Sequence, residues 1–181
     1  ICEGDVILLC GANGSGKTTL LKALTEIRSE VEIAMIPTRI PKIKGFTLNE
    51  FINLSCYNKQ NADSDKALKK LALSHLADRD ISTLSDGEFQ KGTIAAAIAK
   101  GAEIILMDEP TAFLDTENRR NVLSTLRKLC EETGTAVIFS SHDLYEALET
   151  CNKVIALGAD RQCHISSENL KDTISAIFSK D

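Results

Sequence analysis

Two hydrophobic periods alternate along the chain. Val6 to Cys10 is an unbroken apolar run with β-branched members, the pattern of a buried strand. Leu20, Leu21, Leu24 and Ile27 then recur at helical spacing. Glu32 to Ile36 reads as a second strand, stopped by Pro37 and Pro41. Thr47 to Leu54 is helical, Asn58 to Asp65 is polar and loop-like, and Leu68, Leu71, Ala72 and Leu76 form one further helical stripe. Phe89 to Lys100 holds four alanines and stops at Gly101, the composition of a helix with a glycine end. Ile104 to Met107, Thr135 to Phe139 and Val154 to Leu157 read as strands. Between them lie a long helix through Val122, Leu123, Leu126, Leu129 and Cys130, ending near Gly134, and a short one over Leu144 to Leu148. Leu170, Ile174 and Ile177 predict a last amphipathic helix packed on the domain. Strands alternating with helices predict an α/β fold with a mainly parallel sheet covered on both faces. Thr47 to Leu84 shows helical patterning without a convincing strand, so about 47–100 reads as a helical insertion into a core of about 1–40 and 101–181.

Composition narrows the class. The 181 residues fit one domain with a real core, and 43% hydrophobic against 26% charged residues argues against a disordered chain. Lys and Arg number 21 against 26 Asp and Glu, a net charge of −5, with no evident basic face for nucleic acid. The longest apolar run, Ile94 to Ala99, falls far short of the roughly 20 residues that span a bilayer, so a membrane role must go through a partner. Six cysteines form no C-x-x-C pair and three histidines no metal pattern, which favours free thiols in a reducing compartment. The chain opens at Ile1 already reading as strand, so a fragment or an incompletely observed chain is expected, and a leader stays open.

The chemistry starts at the first turn. Gly11-Ala12-Asn13-Gly14-Ser15-Gly16-Lys17-Thr18 fits G-x-x-x-x-G-K-[ST] between a strand and a helix. Glycines let successive amides face phosphate oxygens, and the helix that carries Lys17, Thr18 and Thr19 adds its positive dipole end. Lys17 is expected on the β- and γ-phosphates, and the Thr18 hydroxyl on Mg²⁺. Ile104 to Met107 ends in Asp108 and Glu109. Two acids at the end of a buried strand are costly unless paired or metal-linked. Asp108 is expected to serve Mg²⁺ and Glu109 to orient or deprotonate the attacking water.

With that pair in place, Leu84-Ser85-Asp86-Gly87-Glu88 resembles the L-S-G-G-Q signature of ATP-binding-cassette (ABC) ATPases. Thr111-Ala112-Phe113-Leu114-Asp115 resembles the D-loop, and His142 stands where the family has its switch histidine. The resemblance covers almost the whole chain and implies a P-loop NTPase fold with an inserted helical subdomain. It implies two cassettes head to tail, each ATP held between the phosphate loop of one and the signature of the other. Ser85, the Gly87 amide and the following helix would face the γ-phosphate. Asp86 sits oddly close to that anion, although an acid there is familiar in some importer cassettes. Glu88 completes the signature, Asp115 would couple the two sites, and His142 would hold Glu109 and water in line.

Two departures stand out. Where the family has a glutamine that senses Mg²⁺, Pro37 is followed by Thr38, and the nearest downstream glutamine is the distant Gln60. Thr38 is carried over as a metal-side residue. Only 20 residues lie between Lys17 and Thr38, where the family usually fits another strand pair, and an adenine-stacking aromatic normally lies upstream. Either the cassette is trimmed or residues are missing near Arg28–Glu32 and before Ile1, and the second is expected. The wording around Pro41 to Leu48, Leu84 to Glu88 and Glu109 to Asp115 is similar to bacterial iron-siderophore, haem or cobalamin importers. That branch implies a permease at the cytoplasmic face of the membrane, a substrate-binding protein beyond it, and no contact of the cassette with cargo or nucleic acid. The alternatives are a soluble ABC ATPase of iron–sulfur assembly or another non-transport process, and a non-catalytic nucleotide switch. Co-purification with a permease discriminates the first, and the presence of Glu109 and His142 counts against the second.

Overall fold

The computed structural model describes residues 1–27, 30–57, 59, 62–158 and 162–178. Six strands, β1 (Val6–Gly11), β2 (Ile33–Ile36), β3 (Ile104–Met107), β4 (Ala136–Ser140), β5 (Lys153–Leu157) and β6 (Cys163–Ser166), form one sheet in the order β2-β3-β4-β1-β5-β6. Every pairing is parallel except β5 with β6. The helices are α1 (Lys17–Thr25), α2 (Leu48–Ser55), α3 (Ser64–Lys70), α4 (Asp86–Ala99), α5 (Thr116–Thr133), α6 (Leu144–Thr150) and α7 (Leu170–Phe178).

Alternation along the strands divides the core between two faces. Leu8, Cys10, Ile36, Ile105, Met107, Val137, Phe139 and Val154 face the larger cluster, shared with α4, α5, α6 and the insertion. Ile7, Leu9, Leu106 and Ile138 face the smaller one around Leu21 of α1. The expected two-sided cover is therefore uneven. Beside α1, Ile33, Met35, Ile104, Ile155 and Leu157 are only partly buried, because the described residues place no second helix in that cluster.

Within the insertion, α4 is the central rod. Its alanines and glycines allow close approach: a Cβ on Gly92 would lie 2.7 Å from Leu48 Cδ1 of α2. Phe51 and Phe89 complete that contact as a tilted pair with centroids 5.4 Å apart. The single stripe expected through Leu76 is corrected. The helix stops at Lys70 because Ala72 turns left-handed at φ 56, and the Leu73 amide returns to the Leu68 carbonyl, a helix-ending turn. Leu76 is buried from a separate 3-10 turn, Ser74–Leu76. The edge strand β6 escapes sequence reading because three of its four residues are exposed and it pairs through backbone alone. The C-terminal helix packs as expected, with Ile174 buried in the larger cluster and Leu170 against it. The expected shortfall near Arg28–Glu32 falls partly on Arg28 and Ser29. The expected polar loop falls partly on Asn58, Gln60 and Asn61. All five lie outside the described residues.

Candidate active site

In a parallel sheet, the loops after neighbouring strands share one edge. The order β3-β4-β1 therefore gathers the turn after β1, the acids after β3 and the residues after β4. These are the segments singled out from sequence.

The turn after β1 packs tightly against the sheet. A Cβ on Gly11 would lie 2.9 Å from the Leu157 carbonyl oxygen, so only glycine fits there. Gly14 and Gly16 adopt φ 79 and 99, left-handed values that open the loop, while Ala12 accepts the Ser15 amide at 3.2 Å. Ala12, Asn13 and Gly14 are exposed. Lys17 is buried, and its Nζ donates to the Gly11 and Ala12 carbonyls at 2.9 and 3.1 Å. An ammonium has three protons, so one donor remains.

Two observations fit this loop to a polyphosphate. First, α1 has no side-chain cap and no acid in its first turn, which includes Thr18 and Thr19. By contrast, α2, α4 and α5 are capped by Thr47, Ser85 and Asp115. First-turn amides have no intrahelical partner, so those of α1 are available to an anion. Second, Ser15 Oγ is buried without a hydrogen-bond partner, an orphan that an acceptor oxygen would satisfy.

A continuous polar line crosses the three strands. Thr18 Oγ1 donates to Asp108 Oδ2 at 2.8 Å. Ser140 Oγ donates to Asp108 Oδ1 at 2.8 Å and accepts the Glu109 amide at 2.8 Å. Glu109 Oε1 then meets His142 Nε2 at 2.7 Å. Asp108 is buried, whereas His142 is exposed. Among the described residues there is no cluster of three or more His, Cys, Asp or Glu that could hold a metal ion. One carboxylate beside one hydroxyl does suit Mg²⁺, which takes few protein ligands and draws the rest from water and phosphate. Thr38 takes part in neither of the hydrogen bonds to Asp108. It lines a cavity of about 680 Å³ that also includes Glu109, Phe113 and Asp86.

Ser85, Glu88 and Asp115 are occupied in helix capping. Ser85 Oγ accepts the Glu88 amide at 3.2 Å, and Glu88 Oε2 accepts the Ser85 amide and hydroxyl at 2.8 Å each. The Ser85 amide, then its hydroxyl, hold the Glu88 carboxyl below the ordinary carboxylate range. Asp115 takes the Asn118 amide at 2.8 Å and its side-chain nitrogen at 2.9 Å, and the first of these is the main cause of its lowered pKa. A Cβ on Gly87 would fall 2.7 Å from Asn118 Oδ1, so the signature glycine and the Asp115 turn touch.

Sequence reasoning missed three participants. Ser140 joins Asp108 to Glu109, yet a serine closing a strand carries no signal by itself. Arg119 of α5 pairs with Asp143, next to His142, and donates to the Leu114 carbonyl at 3.4 Å, tying the segment before Asp115 to the turn at His142. Lys42 pairs with Asp86 at 2.6 Å. The Ser140–Asp108, Arg119–Asp143 and Lys42–Asp86 contacts each join residues far apart in the chain.

Comparison with known proteins points to one family. The family described as ABC transporter matches residues 1–112. An achromobactin transport ATP-binding protein of Dickeya dadantii is 30% identical over 86% of this chain and 69% of its own. An iron(3+)-hydroxamate import ATP-binding protein of Bacillus subtilis is 30% identical over 87% of this chain and 70% of its own. Among solved structures, one described as an inward-facing ABC transporter of metal-chelate type superposes with a TM-score of 0.84 at 27% identity, over 98% of this chain and 78% of that one. With a phosphate loop, an acidic strand end and a histidine meeting on one sheet edge, the chain belongs to the ABC transporter family, as one of its ATP-hydrolysing cassettes.

Proposed function

We propose that this cassette powers import of an iron chelate or similar cargo through a membrane permease. The relatives named for achromobactin and iron(3+)-hydroxamate support that branch. The observation that carries the catalytic reading is the line from Thr18 through Asp108 and Ser140 to Glu109 and His142.

In this reading the amides from Gly14 to Thr19 and the Lys17 ammonium bind the β- and γ-phosphates of ATP. Thr18 and Asp108 hold Mg²⁺, with Thr38 acting through water, and the ion supplies charge neutralisation on the phosphates when bound. Glu109 orients the attacking water and accepts its proton. His142 holds the Glu109 carboxylate and reaches the γ-phosphate. A second copy, head to tail, brings Ser85 and the Gly87 amide to the same phosphate, and Asp115 couples the two sites.

An apolar groove of about 200 Å³ suits a permease helix. It is lined by Ile40, Ile43, Phe46, Phe51, Leu54 and Ile81. Ile43 and Leu54 are 55% and 61% exposed, apolar area that gains from cover. Among the described residues no helix is long and apolar enough to cross a membrane. In this reading the cassette attaches to the cytoplasmic face of the membrane through the permease, at this groove. A substrate-binding protein acts beyond the permease, and the cassette touches neither cargo nor nucleic acid.

Co-expression with an iron-chelate permease from the same genome tests the proposal. The tagged cassette is expected to retain the permease, and Leu54→Asp to release it. A cassette that purifies free of the permease at full ATPase rate would overturn the importer reading.

A further inference from the structure

The N-terminus of α4 holds two carboxylates in its first turn, Asp86 and Glu88. Acids there favour the helix by opposing its dipole. Under the proposed function the same end must receive a γ-phosphate from a second copy, and a free carboxylate would repel it. Glu88 is already committed to the Ser85 amide and hydroxyl. Asp86 has no such internal partner on α4, and its side chain is 64% exposed.

Its charge is met from elsewhere. Lys42, in the segment after β2, places Nζ 2.6 Å from Asp86 Oδ1. The same ammonium donates to the Leu84 carbonyl at 2.7 Å and lies 5.6 Å from the centre of the Phe89 ring. Three contacts therefore fix the lysine against the signature turn. Three residues earlier, Arg39 stacks at 4.0 Å on the ring of Phe113, two residues before Asp115. The segment between β2 and α2 thus grips the signature turn with one cation and the D-loop with another. An exposed ion pair adds little to folding stability, so the value of the Lys42 contact lies in the charge that it cancels.

We propose that Lys42 is a positioning residue that neutralises Asp86 and so lets the α4 N-terminus accept the phosphate of a partner's nucleotide. The inference rests on the head-to-tail reading above. It also explains how this chain carries an acid where L-S-G-G-Q has a glycine.

The test uses the full chain carrying Glu109→Gln, with ATP-driven pairing followed by sedimentation velocity. Adding Lys42→Ala is expected to weaken pairing about tenfold, the scale of one uncompensated charge near a phosphate. Lys42→Arg is expected to retain pairing. Asp86→Asn added to Lys42→Ala is expected to restore it, a rescue that a purely structural role for the lysine would not give. Pairing undiminished by Lys42→Ala, or a double variant that pairs as poorly as the single one, overturns the counter-charge role while leaving the head-to-tail reading intact. If the Glu109→Gln chain with Lys42 in place stays monomeric at saturating Mg-ATP, the head-to-tail reading falls, and this inference with it.

Discussion

Glu109 Oε1 and His142 Nε2 stand 2.7 Å apart although they follow different strands. Met107 of β3 is in register with Phe139 of β4, so the residues just beyond each strand end meet across the same edge. The Glu109 backbone takes φ 50, a strained value for a non-glycine residue, which turns its side chain out of the strand path. Glu109→Gln is expected to lower ATP turnover by about 100-fold or more while ATP affinity stays within error and an ATP-dependent dimer accumulates. Turnover at the parental rate would remove Glu109 as the base.

Ser140 is fully buried and serves both acids at once. Ser140→Ala leaves the Glu109 amide and one Asp108 oxygen without that partner. Each loss costs about 1–3 kcal/mol, so the denaturation midpoint should fall together with kcat. A variant of parental stability and rate would show that water replaces the hydroxyl.

The Lys17 ammonium sits against the carbonyls of its own loop, with one proton to spare. Lys17→Ala should weaken ATP binding by about tenfold or more, the worth of a charge-assisted hydrogen bond to phosphate. Titration calorimetry gives the value directly. Unchanged affinity would count against the phosphate loop.

Acid should loosen the signature turn. The Glu88 carboxyl is held low by the Ser85 amide and hydroxyl. Its contribution is complete above the unfolded carboxylate value and is lost as pH falls through the lower folded one. The parent should lose stability below about pH 4 more steeply than Glu88→Gln does. Superimposable acid limbs in circular-dichroism melts would show that the capping box carries no pH-dependent stability.

Thiol reactivity should divide by depth. Burial pushes the Cys10 and Cys151 thiols up to about 11 and Cys130 to about 12, and Cys56 is raised for the same reason. Cys2 and Cys163 are exposed. Iodoacetamide at neutral pH should label Cys2 and Cys163 first, with the other four reacting only on unfolding. Rapid labelling of Cys10 in the native chain would mean that β1 opens.

By itself the sequence determined most of the elements and the chemistry of their ends. Strand and helix periods, the glycines of the first turn and the acids after β3 are written in neighbouring residues, so local sterics and burial suffice to read them. The tertiary structure alone decided which ends meet. The order β3-β4-β1 sets Thr18, Asp108, Ser140 and His142 on one edge, and no local pattern encodes strand order. It also ended the stripe at Ala72, paired the exposed β6 through its backbone, and set Lys42 against Asp86. Each of these depends on a partner distant in sequence or on a backbone angle that side-chain periodicity does not report.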